Sequence, residues 1–134
     1  MSRRTLIILG VVVVGAILLT VISWLLETNP PVVKEPTWNS PQTRALAVRA
    51  CFDCHSNETQ WPWYTRVPIG AWIAVADTVG GRSSLNFSEW SGPRTGEGGR
   101  VIGTEEIVRA IQNGSMPPSI YTPMHPTAVL NAQE

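Results

Sequence analysis

The sequence predicts a mostly α-helical chain: one N-terminal transmembrane helix, then a small helical domain with long loops. Three observations carry that expectation. Thr5 to Leu26 run without a charged residue (TLIILGVVVVGAILLTVISWLL). Further on, apolar residues recur at helical spacing in separate stretches, bounded by capping or stop residues. No strand-helix-strand pattern surrounds the two cysteines.

Length and charge narrow the classes. A chain of 134 residues has room for one small domain. Its 10 basic and 10 acidic residues cancel, so nothing points to nucleic acid or an anionic partner. Beyond the apolar stretch the sequence is rich in Gly and Pro, and so small a core is marginal unless something else fills it.

As a helix at 1.5 Å per residue, Thr5 to Leu26 crosses roughly 30 Å of hydrocarbon. Arg3 and Arg4 would also suit the start of a signal peptide. The apolar run is too long for that, however, and neither an A-x-A site nor a cysteine for lipidation follows it. Residues 1–27 are therefore expected to be an uncleaved single-pass anchor in the cytoplasmic membrane. The basic pair marks the cytoplasmic end, and everything after Glu27 lies on the periplasmic or extracellular side, with Trp24 near the outer interface. Gly10 and Gly15 are not spaced as G-x-x-x-G and read as ordinary span glycines. Residues 28–39 read as an extended linker. Its Pro-rich part, Thr28 to Pro36, reaches roughly 28 Å at about 3.1 Å per residue and would lift the domain off the membrane.

Residues 40–134 form the domain. Ser40-Pro41 makes an N-cap with proline in the first turn. Ala45, Leu46, Val48 and Arg49 then continue as helix into Cys51-Phe52-Asp53-Cys54-His55. C-x-x-C-H is the attachment signature of a c-type haem. Two thiols three positions apart each add to a vinyl group of one porphyrin, and the next histidine becomes the proximal iron ligand. One haem c, attached through Cys51 and Cys54 and ligated by His55, is the cofactor expected, and its apolar plate would supply much of the missing core. A thioredoxin-like pair would need a βαβ context. A structural zinc needs four ligands, and His125 is the only further Cys or His.

Trp61-Pro62-Trp63-Tyr64 and Trp72 are candidates to wall the haem, to bond a propionate, or simply to pack. Ile69, Trp72, Ile73, Ala76 and Val79 predict a short amphipathic helix stopped by Gly80-Gly81. Arg82, just beyond, would pair with a propionate or be solvated. Ser91 to Arg100 read as a mobile, structureless surface loop, without the strand or Gly-Lys-Ser/Thr of a phosphate loop. Thr104 is expected to cap a last helix, with Glu105 and Glu106 in its first turn. Ile107, Val108 and Ile111 would face inward, and Asn113-Gly114 would end the helix.

Met116, His125 and Met124 compete for the distal side of the iron. Met116 is best placed, at a helix end with Pro117 and Pro118 stiffening the chain after it. His125 is the alternative, and Met124 or an open position remains. A Met/His pair would raise the reduction potential.

These residues together resemble the small bacterial haem-binding domain proteins that carry one C-x-x-C-H. The similarity runs from about Ala50 to Leu130. It rests on Cys51 through Thr59, Trp61 through Tyr64, Gly81-Arg82, Leu85 through Trp90, Met116-Pro117-Pro118, and Tyr121 through Pro126. The resemblance implies a cytochrome-c-like monohaem domain behind a membrane anchor, with the M-P-P methionine as natural distal ligand. Members usually continue into a further C-terminal helix. Here the contact between first and last helices would be short or supplied by another subunit. The expected function is one-electron transfer at the outer membrane face, as a carrier or subunit rather than a stand-alone enzyme. Membrane-bound respiratory or photosynthetic electron-transfer proteins and the lipid bilayer are the expected partners. Two alternatives are a haem-containing structural subunit, and an open-site sensor or peroxidase.

Overall fold

The computed structural model describes residues 1–95 and 101–134. It is mostly helical. Helix α1 spans Arg3–Leu26, α2 Pro41–Ala50, α3 Phe52–His55, α4 Pro68–Ser84 and α5 Thr104–Gln112. Two-residue strands β1 (Arg94–Thr95) and β2 (Val101–Ile102) pair antiparallel. The expected Ser91–Arg100 loop is thus closed at its base by a short ladder, and 96–100 lie outside the described residues.

Helix α1 starts at Ser2, whose hydroxyl accepts from the Thr5 amide at 3.2 Å. Its 24 residues are long and apolar enough to cross a membrane. The protein buries none of its apolar window, so α1 is not the core helix of a water-soluble fold. Its buried residues, Thr20 and Ser23, lie near its C-terminal end, and the helix packs on α4. Trp24 Nε1 donates to the Thr65 carbonyl at 2.9 Å.

The linker is bonded to the domain along its length. Its prolines keep it extended as expected, but an extended segment presents its remaining polar groups as a strand edge does. Residues 86–90 take up that edge. The Val33 and Lys34 amides donate to Ser88 O at 2.9 and 3.0 Å, and Trp90 N donates to Lys34 O at 2.8 Å. Asn29 Nδ2 reaches Thr59 O and Asn57 Nδ2 reaches Pro31 O, at 2.9 and 3.0 Å. Glu35 is clamped to α2 by Arg44, with Nε–Oε2 2.8 Å and Nη2–Oε1 2.6 Å, and accepts from Trp38 Nε1 at 2.7 Å.

Ser40 caps α2 by accepting from the Thr43 amide, and Pro41 opens the helix. The helix ends at Cys51, where α3 begins, so α2 delivers the chain to the C-x-x-C-H motif as its capping residues predict. Below the motif, Phe52 and Phe87 are almost fully buried, with ring centroids 5.6 Å apart. Trp38 and Trp90 lie 5.5 and 6.1 Å from Phe87.

Helix α4 passes through Gly80-Gly81 and continues to Ser84. Glycine stops a helix by turning left-handed, and neither residue does; Gly92 and Gly114 are the glycines with positive φ among those described. The face that α4 buries is Ala71, Val75 and Thr78. The spacing-predicted stripe is half-buried at Ile73 but exposed at Ile69, Trp72, Ala76 and Val79. Gly103, not Thr104, is the N-cap of α5. Asn113 ends it as expected, with Gly114 at φ 73°. The C-terminal segment closes on α2 through the turn Pro126–Ala128, with Ala128 fully buried and Arg49 Nη2 paired to Glu134 at 2.7 Å.

The Arg44 hydrogen bonds, more than any other influence, hold the Glu35 carboxyl below its ordinary 4.5. A pKa depressed by folding means the pair stabilises fully above the unfolded value, and that contribution is lost as pH falls through the folded one. Arg44→Ala should therefore lower the melting temperature near neutral pH and lose most of its effect once the pH falls through the lowered folded-state pKa of Glu35, as melts across the acid range would reveal.

Candidate haem-binding site

The motif sits where α3 crosses α4. The two helices approach so closely that a Cβ on Gly81 would overlap the Cys54 carbonyl. Only glycine permits this contact. It places the end of α4 beside the His55 ring, whose Nδ1 lies 3.0 Å from both the Gly81 and the Leu85 carbonyl oxygens. Carbonyls only accept, so Nδ1 carries the proton and Nε2 is left with its lone pair. Burial lowers the His55 pKa, with the two carbonyls opposing, and so favours this neutral imidazole. That is the form and orientation a metal-ligating histidine requires.

The segment after His55 is held by buried polar groups rather than by apolar packing. Ser56 Oγ donates to Phe52 O at 2.9 Å, and Asn57 N donates to Ser88 Oγ at 2.9 Å. Asn86 Nδ2 donates to Asn57 Oδ1 and accepts, through Oδ1, from Ser88 N, both at 2.9 Å. Phe87 N donates to His55 O at 2.8 Å. The strings Ser56-Asn57-Glu58-Thr59 and Asn86-Phe87-Ser88-Glu89-Trp90, distinctive in the sequence, are thus two halves of one lattice. Arg82, half-buried, belongs to it. Its guanidinium donates to Ser56 O, Thr28 O, Asn29 Oδ1 and Thr59 Oγ1 at 2.7 to 2.9 Å.

Beside the motif lies a cavity of about 980 Å³. Cys51, Cys54 and His55 line it, as do Ile107, Ala110 and Ile111 of α5 and Met116. Met116 lies past Gly114, and its amide donates to Ala110 O at 3.0 Å. Of the residues expected to face inward on α5, Ile107 and Ile111 line the cavity, whereas Val108 is exposed.

His125 and Met124 are placed elsewhere. His125 Nε2 lies 2.9 Å from the Tyr64 hydroxyl, and its ring stacks on Tyr121 with centroids 4.0 Å apart. Burial, more than the Asp53 charge, pushes the Tyr64 hydroxyl up to about 12, so it stays an O–H donor. Tyr121 OH donates to Asp53 Oδ2 at 2.7 Å, tying the 118–125 segment to the residue between the cysteines. Burial and that bond raise its pKa strongly. Met124 lines a smaller cavity of about 270 Å³ with Trp61, Tyr64 and Tyr121. Trp61 Nε1 is buried there without a partner among the described residues. Trp63 and Trp72 point outward and wall neither cavity.

The residues present fit a porphyrin. Helix α5 carries an apolar face but buries none of its residues, because that face looks into the cavity. An apolar plate there would cover it. Burial pushes the Cys51 and Cys54 thiols up to about 11, so both are held as neutral S–H groups. No group of three or more His, Cys, Asp and Glu among the described residues is arranged to hold a bare metal ion. Sulfur and imidazole donors around an apolar cleft suit haem iron.

Nothing local in the chain marks the Gly81–Cys54 contact, the Arg82 bonds or the Tyr121–Asp53 bond as interactions. The residues are distinctive, but their partners are distant in the chain. Gly81→Ala should cost about 1–3 kcal/mol by overpacking and turn the His55 ring. Thermal melts and the haem absorbance per chain measure both effects.

No curated protein and no solved structure matches the chain. The haem-binding domain family model matches residues 14–134. With that match over most of its length, and with a cavity that suits a porphyrin, the chain belongs to the haem-binding domain family.

Proposed function

We propose that the protein is a membrane-anchored monohaem c-type cytochrome that carries single electrons at the outer face of the cytoplasmic membrane. The observation that carries this reading is the shared cavity, which Cys51, Cys54, His55 and Met116 all line. Cys51 and Cys54 would hold the haem through thioethers, His55 Nε2 would be the proximal ligand and Met116 the distal one. When bound, the haem supplies an iron that accepts and releases one electron. The chain fixes how readily it does so. His55 is oriented by the Gly81 and Leu85 carbonyls, which raise its basicity as a ligand. The Met116 thioether favours the reduced state. With both positions filled by protein, no site is left for a substrate, which favours a carrier over a sensor or peroxidase. His125 is engaged by Tyr64 and Tyr121 instead of lining the cavity, which favours Met116 over it.

The side chains of Arg3 and Arg4 at the start of α1 support a cytoplasmic N-terminus. A membrane-bound respiratory or photosynthetic electron-transfer complex is the partner class that such a placement fits.

The absorption spectrum tests the assignment. Reduced protein should show sharp low-spin c-type bands, and oxidised protein a weak far-red sulfur-to-iron band. Met116→Ala should abolish the far-red band and lower the potential, by a sizeable part of the roughly 0.8 V range that axial ligands command. A high-spin wild-type spectrum, or a far-red band that survives Met116→Ala, would refute the ligand pair.

A further inference from the structure

Apolar side chains on the outward side of α4 and just before it line neither cavity. Ile69, Trp72 and Val79 are 73, 61 and 56 % exposed, and Trp63 just before the helix is 71 % exposed. Val67 is also exposed. Two exposed tryptophans with exposed aliphatic side chains beside them on a small domain mark a contact rather than chance. Its position says with what. Helix α1 packs on α4, and Trp24, near the end of the apolar run, donates to the carbonyl of Thr65. Thr65 is therefore held at the level of Trp24. Trp63, Arg66 and Val67 lie within two residues of it in the chain, and Ile69 within four. The Arg66 guanidinium lies 5.7 Å from the Trp24 ring centroid and 3.8 Å from Glu27. An exposed arginine beside tryptophans is the composition of a membrane-water interface, where indoles sit among headgroups and cations reach phosphate.

We propose that Trp63, Val67, Ile69, Trp72 and Val79 form a membrane-contact surface, continuous with the lipid-facing side of α1, that seats the haem-binding domain in the phospholipid headgroup layer. The proposal rests on α1 being an anchor. The docked linker agrees with it: residues 28–36 are bonded to the domain along their length and leave no slack to hold it clear of the bilayer. The surface works as an amphipathic helix does, burying its apolar side chains among the acyl-chain ends while Arg66 stays at phosphate level. The orientation of the haem cavity toward any membrane partner is then fixed by two contacts, α1 and α4, instead of swinging on a tether.

The full-length protein, haem-loaded and reconstituted in phosphatidylcholine nanodiscs, tests this with a phospholipid carrying a photoactivatable carbene precursor near the glycerol end of its acyl chain. Adducts mapped by mass spectrometry are expected on α1 and on peptides covering 63–79, and not on α2 or α5. Ile69→Ser with Trp72→Ser should remove most labelling of 63–79 while α1 labelling and the haem bands persist. Adducts confined to α1 would overturn the proposal and leave the anchor standing. Absence of adducts from both α1 and 63–79 would overturn the anchor and the proposal together.

Discussion

The carbonyls of Gly81 and Leu85 meet at a single imidazole nitrogen, His55 Nδ1, and the domain is arranged to keep them there. The contact requires α4 to pass against α3 with no side chain between them, hence Gly81. It requires the chain on either side of His55 to be immobile. Large apolar side chains do little of this work, because the buried apolar residues described are Ala50, Phe52, Ala71, Val75, Phe87 and Ala128, only two of them large. Ser56, Asn57, Thr59, Asn86 and Ser88 are buried in their place. Buried polar groups are costly unless fully bonded, and here they bond one another, the linker and Arg82. Such a lattice tolerates few substitutions.

That thin core is also why the large cavity matters to the fold as well as to chemistry. The face of α5 with Ile107, Ala110 and Ile111 and the Met116 segment have little to pack on except whatever fills the cavity. A haem held there completes the domain. The same group that would carry the electron would supply the apolar surface that this short chain lacks.

Much of this was legible in the residues. Caps such as Ser40, the C-x-x-C-H motif and the apolar run are local signals, and each sits where the local chemistry places it. Contacts between distant segments were not legible. Prolines in 28–36 read as a spacer because extended chain looks the same whether free or docked; the partner at Ser88 decides. Gly80-Gly81 read as a stop because glycine's use for close approach depends on what crosses it. The α4 stripe has the right period for a core face. Periodicity records only that one side is apolar, and says nothing of whether protein or lipid covers it.

The dependence of the fold on its cofactor can be measured directly by amide hydrogen exchange on the haem-loaded protein and on a Cys51→Ala, Cys54→Ala chain prepared without haem. With haem, amides of α5 and of the segment through Met116 should be protected. Without it they should exchange nearly freely, while α4 and the 86–90 strip bonded to the linker keep much of their protection. Equal protection of α5 in both proteins would contradict the claim that the haem completes the core.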